Sequence, residues 1–173
     1  MNNRGYTLIE LSVVVLLVGM MLLLAVPRVR DTLLNDDLKA VTRRFVGAAR
    51  ELQNESVRER MDTILHIDLN QQALWSYAAD TTAEKRAELR KGAVRLPERV
   101  RIVDVRQADD VRKTEGEAVI RFFRRGYTAP TVIHLAKEDR VFTLVFTPFL
   151  RTVTVYEKNV DFSFNQEERG AGL

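Results

Sequence analysis

The sequence has no cysteine among its 173 residues. That excludes disulfides, thiolate zinc sites and cysteine nucleophiles. Histidine is nearly absent: His66 and His134 are the only two, each within a β-like segment. No aspartate or glutamate recurs at a metal-ligand spacing from either, so each reads as a strand histidine with hydrogen-bond partners rather than a ligand. There is no Ser-His-Asp signature, no phosphate-binding glycine loop and no Gly-x-Gly-x-x-Gly. Neither a catalytic constellation nor a cofactor or metal site is recognisable. A dominant charge sign is also missing, since 27 basic residues face 24 acidic ones for a net charge of +3. Such mixing reads as a solvated surface, not as a binder of polyanions. Internal repeats and low-complexity tracts are absent.

What the chain does have is one long apolar run. Leu11–Val26 reads LSVVVLLVGMMLLLAV, apolar except for Ser12 and Gly19. As a helix, residues 6–26 would be about 31 Å long, against a hydrocarbon core of about 30 Å. Glu10 stands at the edge of this run, and a carboxylate there is costly without a partner.

Two processing readings fit the composition. A cleaved signal peptide needs a positive start and a small-x-small cleavage site, whereas this run ends Leu23-Leu24-Ala25-Val26-Pro27. A plain signal anchor fits the length but leaves Glu10 unexplained. Arg4 precedes the run and Arg28 and Arg30 follow it, so basic residues do not fix its orientation.

The stretch Arg4-Gly5-Tyr6-Thr7-Leu8-Ile9-Glu10, followed by an apolar helix, resembles the type III signal of type IV pilins and type II secretion pseudopilins. The resemblance implies cleavage after Gly5 by prepilin peptidase and N-methylation of the new terminus, Tyr6. It implies an assembly role for Glu10 and a helix proline, hence a kink, at Pro27. The family usually has Phe after the cut, where this chain has Tyr6. Cleavage would create a cationic amine on Tyr6, one helical turn from Glu10. In a filament, Glu10 would meet the amine of a neighbouring subunit and fix the stagger between subunits.

Beyond Pro27, Leu34, Leu38, Val41, Phe45, Ala48 and Leu52 recur at steps of three and four, the pattern of an amphipathic helix. Pro27 predicts a kink or local melting, and Asn35-Asp36-Asp37 a second weak point. The helix is predicted to end near Arg60–Asp62. From Thr63 the period changes to two. Thr63–Leu69 and Ala73–Ala78 predict a hairpin around Asn70-Gln71-Gln72. Asp80–Lys91 reads as a short exposed helix or a loop. Ala93–Leu96 and Val100–Val105 flank a turn at Pro97-Glu98, and Gln107–Glu117 reads as loop. Ala118–Phe123, Thr131–Ala136, Val141–Thr147 and Thr152–Tyr156 predict further strands. Phe162–Phe164 would close an edge, and Glu167–Leu173 reads as a disordered tail.

The order predicts an α+β fold, a long N-terminal helix packed on a C-terminal antiparallel β-sheet or β-sandwich. Four segments follow: a leader over 1–5, a membrane and filament-core helix over 6–27, an amphipathic helix over 28–62 and a β-rich periplasmic domain over 63–173. The second half is similar to the H-type minor pseudopilins (general secretion protein H) and their pilus relatives. The pattern lies in Ile120–Thr128, with Phe122, Gly126 and the strands that follow. Arg124-Arg125 stand where Pro-Asp is common in that group.

Two other classes find partial support in the sequence. Arg121, Arg124 and Arg125 near Gly126, and Arg95, Arg99 and Arg101 around Pro97, suggest nucleic acid. Their interleaving with Glu98, Asp104, Asp109 and Asp110 breaks the basic stripe a nucleic-acid binder needs. A membrane-anchored enzyme would need a cleft and a nucleophile that the sequence does not reveal. The resemblance therefore implies a non-enzymatic subunit of a type II secretion pseudopilus, near its tip, or alternatively a minor pilin of a type IV pilus. Its implied partners are other minor and major pseudopilins through their N-terminal helices, prepilin peptidase and the inner-membrane assembly platform. The implied location is single-pass in the inner membrane with the β-rich domain in the periplasm.

Overall fold

A computed structural model describes residues 8–33, 37–109, 111–149, 152–162 and 164. The chain divides into two compact units, residues 1–36 and 37–173. In the first unit, α1 (Leu8–Leu33) is helical throughout, including at Pro27. Local melting at Pro27 is thus not found, and the helix assignment runs to Leu33 instead. Of the second predicted weak point, Asn35 and Asp36 lie outside the described residues, as does Leu34, while Asp37 opens the next helix.

In the second unit, α2 (Asp37–Arg58) buries Leu38, Val41, Phe45, Ala49 and Leu52. Their three- and four-residue spacing gathers them on one face. Burying each of the larger side chains contributes about 1.5–3 kcal/mol. Ala49 lies in this stripe; the predicted Ala48 is only partly buried. The end of α2 has a definite cause. Arg60 adopts φ 53°, and the amides of Arg60 and Met61 return to the carbonyls of Val57 and Ser56. This is the paired closing bond of a helix whose terminating residue is left-handed, a position glycine usually takes.

The strands follow as β1 (Thr63–Asp68) and β2 (Ala73–Ala78), then α3 (Ala83–Lys91) and β3 (Val94–Arg95). After them come β4 (Arg101–Gln107), β5 (Arg112–Lys113), β6 (Glu117–Phe122), β7 (Thr131–Lys137), β8 (Arg140–Phe146) and β9 (Val153–Tyr156). The predicted hairpin of β1 and β2 is present in antiparallel register. Its turn is held by Asp68, whose Oδ1 accepts the amides of Asn70 and Gln71 at 3.0 and 2.9 Å. All pairings are antiparallel, in a four-stranded sheet ordered β3-β2-β1-β6 and a five-stranded sheet ordered β5-β4-β7-β8-β9. α2 packs against both, and its apolar stripe meets Leu65, Ile67, Ile120 and Phe122 of one sheet and Ile133, Leu135 and Leu144 of the other in a single core.

The predicted Pro97-Glu98 turn is present and passes the chain from one sheet to the other, since β3 pairs with β2 and β4 with β7. Two other expectations are corrected. The Gln107–Glu117 loop contains β5, a short edge strand on β4. Phe162 closes no edge. The main chain leading to it crosses the outer face of the five-stranded sheet, held by Arg106 to Asp161 Oδ1 at 2.7 Å and by Thr143 Oγ1 between the Lys158 carbonyl and the Val160 amide. That strap explains why β7 is buried on both faces. Ser163 and the predicted tail Glu167–Leu173 lie outside the described residues.

Candidate functional site

In α1, side chains are described for 8–21, and every one is exposed. Leu8 is 85 % exposed and Met21 75 %. Over residues 8–21 the helix is apolar on nearly all sides and turns no polar face toward water. Glu10 is the single ionisable residue among 8–21 and lies in the first turn of α1. A carboxylate there is favoured by the partial positive charge of the helix start. Ser12 donates its hydroxyl to the Leu8 carbonyl at 2.8 Å, which removes the other polar group of this stretch from need of an outside partner. Gly5 and Tyr6, the predicted cleavage and methylation residues, lie outside the described residues. Pro27 lies within α1. Among the described residues, no helix is long and apolar enough to cross a membrane; a crossing needs about 20 residues, and the described side chains of α1 stop at Met21.

The second unit carries two charged clusters that are built into the fold. His134 on β7 sits directly opposite Asp104 on β4, with Nδ1 at 2.9 Å from Asp104 Oδ1. Its Nε2 lies 3.1 Å from the Val160 carbonyl. Both acceptors require an N–H from the ring, so the contacts are those of a doubly protonated imidazolium. Arg112 reaches the other carboxylate oxygen at 3.0 Å. The hydrogen bond to Asp104 raises the His134 pKa, against the opposing pull of burial, and the bond to Val160 adds to the rise. For Asp104 burial pushes upward, but the hydrogen bonds from His134 and Arg112 and their charges together hold its pKa below the ordinary value. Removing one member of a buried charge pair of this kind is costly, because the other charge is then left uncompensated.

The second cluster ties α3 to the outer face of the four-stranded sheet. His66 stacks on Trp75 with centroids 4.1 Å apart. Its nitrogens meet the Tyr77 hydroxyl at 3.3 Å and Glu117 at 3.0 Å. Arg90 of α3 lies over the Trp75 ring and bridges Asp68 and Glu117. Both histidines thus have protein partners. Among the described residues, no group of three or more acidic or histidine side chains is arranged to hold a metal.

The arginines considered for nucleic acid do not merge into one track. Arg95 lies on β3 of one sheet and Arg101 on β4 of the other. Arg121 is engaged by Asp62 at 3.2 Å and lies over the Phe123 ring. Sequence reasoning missed the pairing of Asp104 with His134, separated by 30 positions. The only available signal was an aspartate in an otherwise β-rich run, Arg101–Gln107.

Residues 1–26 match the family described as the prokaryotic N-terminal methylation motif. That match covers Gly5, Tyr6 and Glu10. No curated protein matches the chain by sequence. Two solved structures of the minor pseudopilin EpsH from the type 2 secretion system of Vibrio cholerae share the fold. The first has 13 % identity and a TM-score of 0.54, and covers 73 % of this chain and 100 % of its own. The second has 15 % identity and the same TM-score, covering 73 % of this chain and 98 % of its own. The chain therefore joins a pilin-type methylation motif to the α+β fold of a minor pseudopilin.

Proposed function

We propose that this protein is a non-enzymatic filament subunit, a minor pseudopilin of a type II secretion system. The observation that carries the reading is the conjunction, in one chain, of the methylation motif over 1–26 with a second unit folded like EpsH. Each alone is weaker: the motif says how a chain is processed, and the fold says what it presents. The two solved structures described above come from a secretion system, which favours that reading over a type IV pilus.

In this reading the precursor resides in the inner membrane through residues 6–27, with the β-rich unit in the periplasm. Prepilin peptidase cuts after Gly5, and Tyr6 becomes the methylated terminus. The exposed apolar surface of α1 then has two hosts of similar polarity, lipid and the α1 helices of other subunits. Transfer between them costs little because apolar contacts are exchanged, not lost. Glu10 supplies direction, since its pairing with the Tyr6 amine of a neighbour satisfies two charges that are costly apart in apolar surroundings. Pro27 is the position at which the helix bends to fit the filament. Other pseudopilins and the inner-membrane assembly platform are the partners, and a place near the tip supports export of folded proteins.

Mass spectrometry of the mature chain tests the reading. The expected first residue is Tyr6, carrying one added methyl group. A chain that keeps Met1 in cells with active prepilin peptidase would overturn it.

A further inference from the structure

The end of α2 remote from Asp37 borders a cleft of about 560 Å3 lined by Arg60, Arg124, Arg125 and Tyr127, with Asp62 and Asp80 also on its wall. Among the described residues, none of the three guanidinium groups is hydrogen-bonded or ion-paired, although the backbone that carries them is fixed with unusual care. The Phe123–Tyr127 turn closes on itself through Phe123 N–H to the Tyr127 carbonyl at 2.9 Å and Gly126 N–H to the Phe123 carbonyl at 2.8 Å. Gln53 of α2 donates to the Gly126 carbonyl at 2.9 Å, while the single hydroxyl proton of Ser56 goes chiefly to the Gln53 carbonyl at 2.8 Å and lies 3.3 Å from the Phe123 carbonyl. Asp62 accepts the Arg124 amide at 2.9 Å. Gln53 is 7 % exposed, so an interior amide on one side and the Asp62 carboxylate on the other hold a turn whose tip is Arg124-Arg125.

Arg60 occupies the left-handed helix-terminating position where glycine is strain-free. The same position places Arg60 on the wall of the cleft. Beside the charges, the rings of Phe123 and Tyr127 stack with centroids 4.3 Å apart, an apolar surface next to the exposed arginines.

We infer that this cleft docks an acidic segment of another protein, its carboxylates on Arg60, Arg124 and Arg125 and its apolar atoms against the Phe123–Tyr127 stack. Guanidinium groups suit carboxylates through paired, planar hydrogen bonds. A nucleic-acid backbone fits worse, because it needs a continuous basic track and these three arginines form only a short cluster. The inference stands apart from the filament reading, since it concerns only what the second unit binds.

The test uses the full chain in non-ionic detergent micelles and fluorescence anisotropy. Probes are fluorescein-labelled Glu-Glu-Glu-Glu, the same peptide with glutamine, and a single-stranded oligothymidylate of equal charge. The glutamate peptide is expected to bind, the glutamine peptide not, and the oligothymidylate more weakly. Affinity should fall about tenfold or more in the Arg124→Gln/Arg125→Gln double variant and again on raising sodium chloride from about 0.05 to about 0.5 M. Arg60→Gly should weaken binding while its melting temperature stays level or rises, which separates binding from folding. Absent binding of the glutamate peptide, or equal binding by the double variant, overturns the inference. Tighter binding of the oligothymidylate overturns the choice of partner and with it the inference.

Discussion

His134 and Asp104 face each other across the β4–β7 pair at 2.9 Å, both buried and both charged. The pair pins the strap at Val160 as well, because the second imidazole nitrogen bonds that carbonyl. Two strands and a loop therefore depend on one protonation state.

The pH dependence of stability follows from the two shifts. Folding raises the His134 pKa above its ordinary 6.5, so its stabilisation is complete below that value and is lost as pH rises through the raised one. Folding lowers the Asp104 pKa below its ordinary 3.8, so its stabilisation is present above that value and is lost as pH falls through the lowered one. Urea unfolding followed by Trp75 fluorescence should give a plateau between these limits. His134→Asn should cost about 3 kcal/mol on the plateau by stranding a buried carboxylate, and should flatten the alkaline fall.

Gln53→Ala leaves the Gly126 carbonyl without its donor. The expected loss is about 1–2 kcal/mol, read from the same unfolding curve. Ser56→Ala should disturb the turn less, because its hydroxyl proton goes chiefly to the Gln53 carbonyl at 2.8 Å and lies 3.3 Å from that of Phe123.

Two backbone substitutions should have opposite signs. Gly126 sits at φ 85° and Arg60 at φ 53°. Gly126→Ala should destabilise by about 1 kcal/mol, and Arg60→Gly should stabilise by up to about 1 kcal/mol. Thermal unfolding of both variants beside the wild type checks the pair; a shared sign would rule out the strain argument.

Glu10→Ala should leave the chain in the membrane fraction yet remove it from purified filaments, with a loss of about tenfold or more for a lost charge pair. Quantitative immunoblotting of sheared filament preparations reads the outcome, and wild-type incorporation would sink the role given to Glu10.

Local pattern made much of this fold legible. Leu65 and Ile67 alternate with Ile64 and His66, and that alternation places β1 correctly. The α2 stripe was legible for the same reason, although Ala48 and Ala49 are adjacent and only packing against the sheets decides between them. Partner choice was not legible. Nothing near Val94 tells it to join β2 while Ile102, a few residues on, joins β7. β5 was hidden because Arg112 and Lys113 are polar at a sheet edge, where solvent replaces a core. At the candidate site, Glu10 stood out as an acid beside an apolar run, whereas the fixing of Arg124-Arg125 by Gln53 spans 73 positions and leaves no local trace.

The strand order carries a consequence for biogenesis. β1 lies between β2 and β6, while β4 and β5, which intervene in the chain, belong to the other sheet. Neither sheet can be completed from a contiguous stretch of polypeptide, and α2 has no finished surface to cover until both are built. The second unit should thus fold in one cooperative step, and slowly for its size, because its pairings are non-local. A chain emerging from a translocation channel would stay open until β6 has passed and β7 to β9 follow. Truncation before that point should yield an unfolded chain, not a smaller domain, so quality control would see either the whole unit or none of it.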